Sequence, residues 1–358
     1  MINKQSIYYW FFFPLLALLS AGSLTSCIYD SVLEETDMSG KSTLSITMRG
    51  ITTTDPGTTG NYDDYVKTLR VIGFDANGTV VCNQKYSGTD LGTVEGTAPN
   101  TYIEITKTLK DTFQGGVCDF YFIANEDGYS VYNSQKDLST FLSSISLKSE
   151  LEDCMLATPV DLETLGSLGS SPILMTTSVR STLKSGDNTI NNIELVRCFA
   201  KAQLKIIDKT KSATVGEKPV LTGTCPEFYS LWDGSTTENW TSSDDNKVDI
   251  PLVLEKGNIE VDGQTYPLHT SQEIYFPERL FDAGDNKEGN AMKFSFTLNG
   301  KSYTPAIANA NSEGTDFNIR RNTHYTVTAT LNSTPVDVTF NIEVVPWTAV
   351  NVDVPPFN

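Results

Sequence analysis

The sequence is short of the side chains from which most catalytic and metal sites are built. It has two histidines, His269 and His324, 55 positions apart. Its six cysteines stand singly, at Cys27, Cys82, Cys118, Cys154, Cys198 and Cys225. Structural zinc needs Cys and His clustered a few residues apart, and a disulfide scaffold needs dense, evenly numbered cysteines. Neither pattern is present. Beyond Cys27 the number is odd; one disulfide is open, with partners that the spacing does not choose. No nucleophile elbow, phosphate-binding loop or His-Glu zinc helix occurs. A Ser-His triad would have to use one of the two histidines, and both lie by strand-like stretches where a structural imidazole is expected. A glycosidase-type carboxylate pair is not excluded by counting, because acids are plentiful. No cofactor and no metal are expected.

Basic residues are also scarce: 26 Lys and Arg stand against 44 Asp and Glu, a net charge of −18 at pH 7. Nucleic acid and anionic lipid surfaces both demand a basic face, so neither is expected as a partner. A membrane span of about 20 apolar residues is missing too. The one apolar run, Ile7 to Leu19, is shorter and N-terminal, with Lys4 as the only charge before Asp30. It gives way to small and polar residues and ends Leu24-Thr25-Ser26-Cys27. A cationic start, a short apolar core and a small-residue exit describe a secretory signal. Its last four residues resemble a bacterial lipobox, in which Cys27 becomes the acylated first residue. Residues 1–26 are therefore expected to be a signal peptide and 27–41 a lipidated tether made acidic by Asp30, Glu34, Glu35 and Asp37.

Past the tether the patterning is that of strands. Leu44-Ser45-Ile46-Thr47-Met48 alternates strictly and ends at Arg49-Gly50, before an exposed Thr/Pro/Gly loop to Gly60. Thr68–Phe74 and Val80–Tyr86 follow, joined by the turn Asp75-Ala76-Asn77-Gly78. Tyr102–Leu109 and Val117–Ala124 continue the series. One helix interrupts it: Ser134 to Asp137 has capping-box spacing, and Leu138, Phe141, Leu142 and Ile145 form one apolar stripe. From Val196 to Ile206 every even position is apolar, Cys198 among them. A polar excursion over 209–248 holds Trp232 and Trp240. A hairpin around Asn299-Gly300 and two strands, Tyr325–Leu331 and Val336–Val344, close the pattern. Many short strands with frequent turns predict an all-β chain of two β-sandwiches, 42–190 and 191–358, with one short helix in the first.

Two amphipathic segments stand at opposite ends. Leu44, Ile46 and Met48 alternate near the start. Val350, Val352 and Val354 alternate after Trp347, with Asn351 and Asp353 between, until Pro355-Pro356. One reading makes both edge strands of their own domains. The other joins them: if the first strand were cut out after Arg49, a segment of matching period could fill its groove by strand addition.

Taken in order, several short motifs resemble the fimbrillin family of Bacteroides-type fimbrial lipoproteins. They are the lipobox at Cys27, the strand ending at Arg49, Leu69–Asp75, and Phe120-Tyr121-Phe122-Ile123-Ala124-Asn125-Glu126. Met175 after Ile173-Leu174, Arg197-Cys198-Phe199-Ala200-Lys201, Ile274-Tyr275-Phe276-Pro277-Glu278, and Asn322-Thr323-His324-Tyr325 through Val345-Pro346-Trp347 complete the set. The resemblance implies two transthyretin-like sandwiches and a structural, non-enzymatic subunit displayed on the outer membrane. It implies that an arginine-directed protease cuts between Arg49 and Gly50, releasing the strand of Leu44, Ile46 and Met48. A neighbour's segment within 347–358, carrying Val350, Val352 and Val354, would replace it. Partners are then other fimbrial subunits, membrane lipid through Cys27, and host or bacterial surface ligands. The family includes anchor and tip subunits, and Cys27-Ile28-Tyr29-Asp30 resembles the anchor branch as well. Two alternatives from other classes are a surface glycan-binding lipoprotein using Trp232 and Trp240, and a surface glycoside hydrolase.

Overall fold

Strict alternation and frequent turns do produce strands throughout. The structure is a computed structural model. It describes residues 43–49, 52–53, 55, 62–92, 94–95, 102–109, 115–158, 171–216, 218–232, 238–239, 247–311, 314–332 and 337–347. The chain begins with β1 (Thr43–Arg49), β2 (Thr68–Asp75), β3 (Val80–Ser87), β4 (Tyr102–Thr108) and β5 (Gly116–Ala124). Two short helices, α1 (Leu138–Ser144) and α2 (Lys148–Glu152), come next, then β6 (Met155–Ala157), β7 (Met175–Leu183), β8 (Asp187–Glu194) and β9 (Val196–Arg197). The later part holds β10 (Phe199–Asp208), β11 (Val220–Thr224), β12 (Phe228–Ser230), β13 (Lys247–Pro251), β14 (Leu254–Val261), β15 (Gln264–Ser271) and β16 (Ile274–Pro277). It ends with β17 (Lys293–Leu298), β18 (Lys301–Tyr303), β19 (Asn309–Asn311), β20 (Gly314–Asp316), β21 (Thr323–Leu331) and β22 (Val338–Pro346).

In the first part a sheet ordered β3-β2-β5-β7-β9 faces a smaller sheet ordered β4-β1-β8. In the second, β14-β15-β10-β21-β22, with β16 also on β10, accompanies β13-β11-β17-β18. Strand β2 shows why the sequence reads there as a nearly continuous apolar run. Leu69 and Val71 enter the core shared with β1, β4 and β8. Ile72 and Phe74 enter a second core shared with α1 and the later strands. A strand covered on both faces has no polar side to show. Gly73 belongs to the same crowding: a Cβ there would lie 2.7 Å from the Phe120 ring and 2.9 Å from the Cys82 sulfur.

The helix is where the sequence places it, but its cap is not. Asp137, not Ser134, is the N-cap, and its carboxylate accepts the Thr140 N–H at 2.8 Å. The spacing from Ser134 to Asp137 marks the turn before the helix instead. A second helix, α2, was not expected; five residues are too few to show a 3.6-residue stripe. Glu150 secures its start by accepting the N–H groups of Ser146 and Leu147 at 3.0 and 3.1 Å. The five described cysteines are buried free thiols, so no disulfide forms among the described residues.

One buried ion pair ties α1 to its sheet. Arg70 makes two bonds of 2.8 Å to the carboxylate of Glu126, which also accepts from Ser139 at 2.7 Å. Lys85 stands 3.2 Å from the same carboxylate. Burial alone would raise the pKa of Glu126. The bonds from Arg70 and Ser139, with the charges of Arg70 and Lys85, outweigh it and hold the group below its ordinary value. A carboxylate depressed in the folded state contributes stability above its unfolded pKa of about 4.3, and that stability is lost as pH falls through the folded value. Glu126→Gln, which leaves Arg70 buried without its counter-charge, is expected to cost about 3 kcal/mol at pH 7. Urea titrations at several pH values check this: the variant should lose less stability than the wild type as pH falls below about 4.3.

Candidate functional site

The strand that the sequence marked as exchangeable sits in the middle of its sheet. β1 pairs antiparallel with β4 along its whole length, from Thr43 opposite Thr108 to Arg49 opposite Tyr102. On its other side it runs parallel to β8, with a bulge between Ile46 and Met48. β1 is therefore not an edge strand, and the edge-strand reading of it is corrected. Leu44, Ile46 and Met48 are each 0% exposed. They share a core with Ile103 and Ile105 of β4, Ile190 and Ile193 of β8, and Leu69, Val71, Phe120 and Phe122 of the facing sheet.

The opposite face of β1 is polar and bonded sideways. Thr43 donates to Asp187 at 2.5 Å, Ser45 donates to Glu104, and Thr47 donates to Asn191 at 3.1 Å. At the bulge the Asn192 N–H donates to the Thr47 hydroxyl at 3.3 Å. Burying three large apolar side chains contributes about 1.5–3 kcal/mol each, a sum comparable with the whole stability of a domain. If β1 left, the two flanking strands would present unpaired backbone on both walls over an apolar floor. Such a groove would have to be refilled. Ile46→Ala is expected to lower the unfolding free energy by about 2–5 kcal/mol, and Ser45→Ala by less than about 1 kcal/mol, in urea titrations of the intact chain.

Arg49 is the last residue of β1, still in register with Tyr102 and Glu194. Gly50 lies outside the described residues, as do Cys27, Trp240 and the segment with Val350, Val352 and Val354. Trp232 is spent on packing: its indole N–H donates to the Leu151 carbonyl at 2.6 Å, and its ring stands edge-on to Tyr121 at 4.8 Å. Both histidines lie on strands, His269 in β15 and His324 in β21. Burial, then Lys256, lowers the pKa of His269; burial, then Lys201, lowers that of His324. Among the described residues no group of three or more His, Cys, Asp or Glu could hold a metal ion.

A second cluster escaped the sequence reading. Asp63, 4% exposed, accepts Lys201 Nζ at 2.8 Å and the Trp347 indole N–H at 3.1 Å through one oxygen, and Tyr275 OH at 3.0 Å through the other. Arg197 donates to the Asp63 carbonyl at 2.9 Å, to the Trp347 carbonyl at 2.6 Å, and to Asp64. The Arg197 guanidinium and the Lys201 ammonium each stand 4.8 Å from the Trp347 ring centre. Lys201 also pairs with Glu273 at 2.9 Å. Burial raises the pKa of Asp64 despite the pull of Arg197, and burial with Asp63 and Glu273 raises that of Tyr275. Asp63 and Trp347 are 284 positions apart, which hides their contact from any local pattern. Alternation from Val196 puts Arg197 and Lys201, with Gln203 and Lys205, on a face expected to be wet. That expectation is corrected for the first two, which are buried because the Asp63 segment and Trp347 cover them.

Residues 42–215, which span β1 to β10, match the family model for the major fimbrial subunit protein FimA. No curated protein matches the sequence. Among solved structures, the tip fimbrial protein Mfa3 from Porphyromonas gingivalis, with a C-terminal truncation, superposes with a TM-score of 0.58 at 17% identity, over 86% of this chain and 100% of that one. A proposed cell-adhesion protein from Parabacteroides distasonis superposes with a TM-score of 0.51 at 15% identity, over 87% and 98%. At these identities the likeness speaks for the fold, that of fimbrial β-sandwich proteins. The matched family is one of structural fimbrial proteins rather than enzymes.

Proposed function

The chain belongs to the fimbrillin family, and on that premise we propose that it is a subunit of a cell-surface fimbria that assembles by exchanging β1 for a segment of a neighbour. The observation that carries this reading is the position of β1: central in its sheet, paired on both sides, with Leu44, Ile46 and Met48 fully buried. Lost from an edge, a strand would leave one wall; lost from here, it leaves a groove with two. In this reading 42–190 and 191–358 are the two sandwiches of the subunit. The protein is exported with the signal 1–26, lipidated at Cys27, and held at the outer membrane surface by its acidic tether. An arginine-directed protease cuts between Arg49 and Gly50. Because Arg49 is still paired in the sheet, the end of β1 must open before the backbone can enter the protease. The bulge next to Met48 makes that end the weaker one.

Val350, Val352 and Val354 of the next subunit then take the places of Leu44, Ile46 and Met48. Equal spacing by two keeps all three on the buried face. Assembled subunits support adhesion to host or bacterial surface ligands.

Three substitutions in cells that make the protein test the steps separately. Cys27→Ala should move the protein out of the membrane fraction and end its labelling with fatty acid. Arg49→Ala should leave β1 on every chain and stop filament formation. Val352→Asp, which would bury a charge in the groove, should leave a folded, trimmed monomer and no filaments, as judged by electron microscopy. Normal filaments from either of the last two variants would contradict the exchange mechanism.

A further inference from the structure

The exchange reading uses two stretches of chain, and both are rooted in the Asp63 cluster. One is the arm that cleavage would leave as a new N-terminus. Thr52 is its first described residue; the Thr52 N–H donates to the Asp64 carbonyl at 2.9 Å, and the Val66 N–H donates to the Thr52 carbonyl at 2.8 Å. Those bonds fasten the arm to residues 64–66, and Tyr62 OH donates to Asp55 at 3.1 Å. That segment is fastened to the strands around β10 by charge, Asp63 to Lys201 and Asp64 to Arg197. The bonds of Arg197 to the Asp63 carbonyl and of Tyr275 OH to the Asp63 carboxylate add to this. Buried Val66 and the Asn125 amide on the Tyr65 carbonyl fasten it to the core shared with β1, β4 and β8. The other stretch is the segment after Trp347. Trp347 is held by its N–H to the Asn322 carbonyl at 2.7 Å, by Arg197 on its carbonyl, and by Asp63 on its indole.

We propose that this cluster is the joint of the assembly reaction, with Asp63 and Trp347 as positioning residues. It binds the arm left by cleavage and the root of the donor segment into one rigid point, so that the donor leaves the subunit in a fixed direction. The proposal rests on the strand-exchange reading.

Arg197 and Lys201 are each held by an aspartate of the segment to which the arm is bonded, and each faces the Trp347 ring. In a low-dielectric site a cation deprived of one partner relaxes toward the others, so neither root can loosen alone. Coupling of this kind is reciprocal. A donor segment with a fixed root also loses less orientational freedom when it enters a neighbour's groove.

The test uses the full chain and two conservative variants. Trp347→Phe keeps an aromatic ring and removes the indole N–H. Asp63→Asn keeps the shape and removes the charge. Trp347→Phe should speed amide hydrogen exchange at Thr52 and Val66 about ten-fold, the size of one lost hydrogen bond to a charged group. Asp63→Asn should do the same at Trp347, and the double variant should exceed the larger single effect little, as for residues acting as a unit. Both single variants should still be trimmed at Arg49 yet form few filaments. Wild-type exchange at Thr52 and Val66 in Trp347→Phe would overturn the proposal, as would filaments at the wild-type level from both single variants. Val352→Asp runs alongside. If it also forms filaments, the exchange reading itself has failed; if it alone is blocked, only the joint is wrong.

Discussion

The pairing of β1 on both of its edges is the constraint from which the first half of the molecule follows. A strand in the centre of a three-stranded sheet joins two strands that do not touch each other without it. Its three apolar side chains close the core over Leu69, Val71, Phe120 and Phe122, and its three polar ones are bonded across to β4 and β8. A sheet built in this way cannot lose the strand and keep its core dry. The same property that makes β1 indispensable to the folded chain would, if β1 were released as proposed, leave its place able to bind another strand. Hydrogen bonds from two walls give affinity, and alternate side-chain pockets give register.

The second half supplies the fixed frame. β10 pairs with β21, β15 and β16, and Arg197 and Lys201, beside and within it, reach back to Asp63 and Asp64 of the first half. Trp347 closes the same cluster from the far end of the sequence. Thr52, bonded to Asp64, and Trp347 are thereby both anchored on the same pair of cations. A buried charge network is a costly way to hold two segments together. Its distinguishing property is that it fixes one arrangement, because each charge has few acceptable partners.

Much of this was legible in the sequence because strand patterning is local. The alternation of Leu44, Ile46 and Met48, the end at Arg49, the strand at Thr68–Phe74 and the even-numbered apolar positions of β10 all match the structure. The helix stripe of Leu138, Phe141, Leu142 and Ile145 was legible for the same reason, while its cap moved to Asp137 because two nearby polar residues offered equivalent spacings. Alternation tells which face a strand buries but not what lies on its edges, so the central position of β1 and its parallel partner β8 could not be read. α2 is too short to carry a period. Trp232 was open to two readings, a sugar-stacking ring or packing under its own loop, and its N–H and ring are both used inside the protein. The Asp63 cluster joins residues that share no pattern at all.

The central claim is that β1 belongs to the newly made chain and not to the assembled one. Filaments purified from the cell surface and analysed by mass spectrometry of their subunit N-termini test it most directly. The account predicts subunits that begin at Gly50 and lack the peptide Thr43–Arg49. Filament subunits that retain that peptide intact would contradict it.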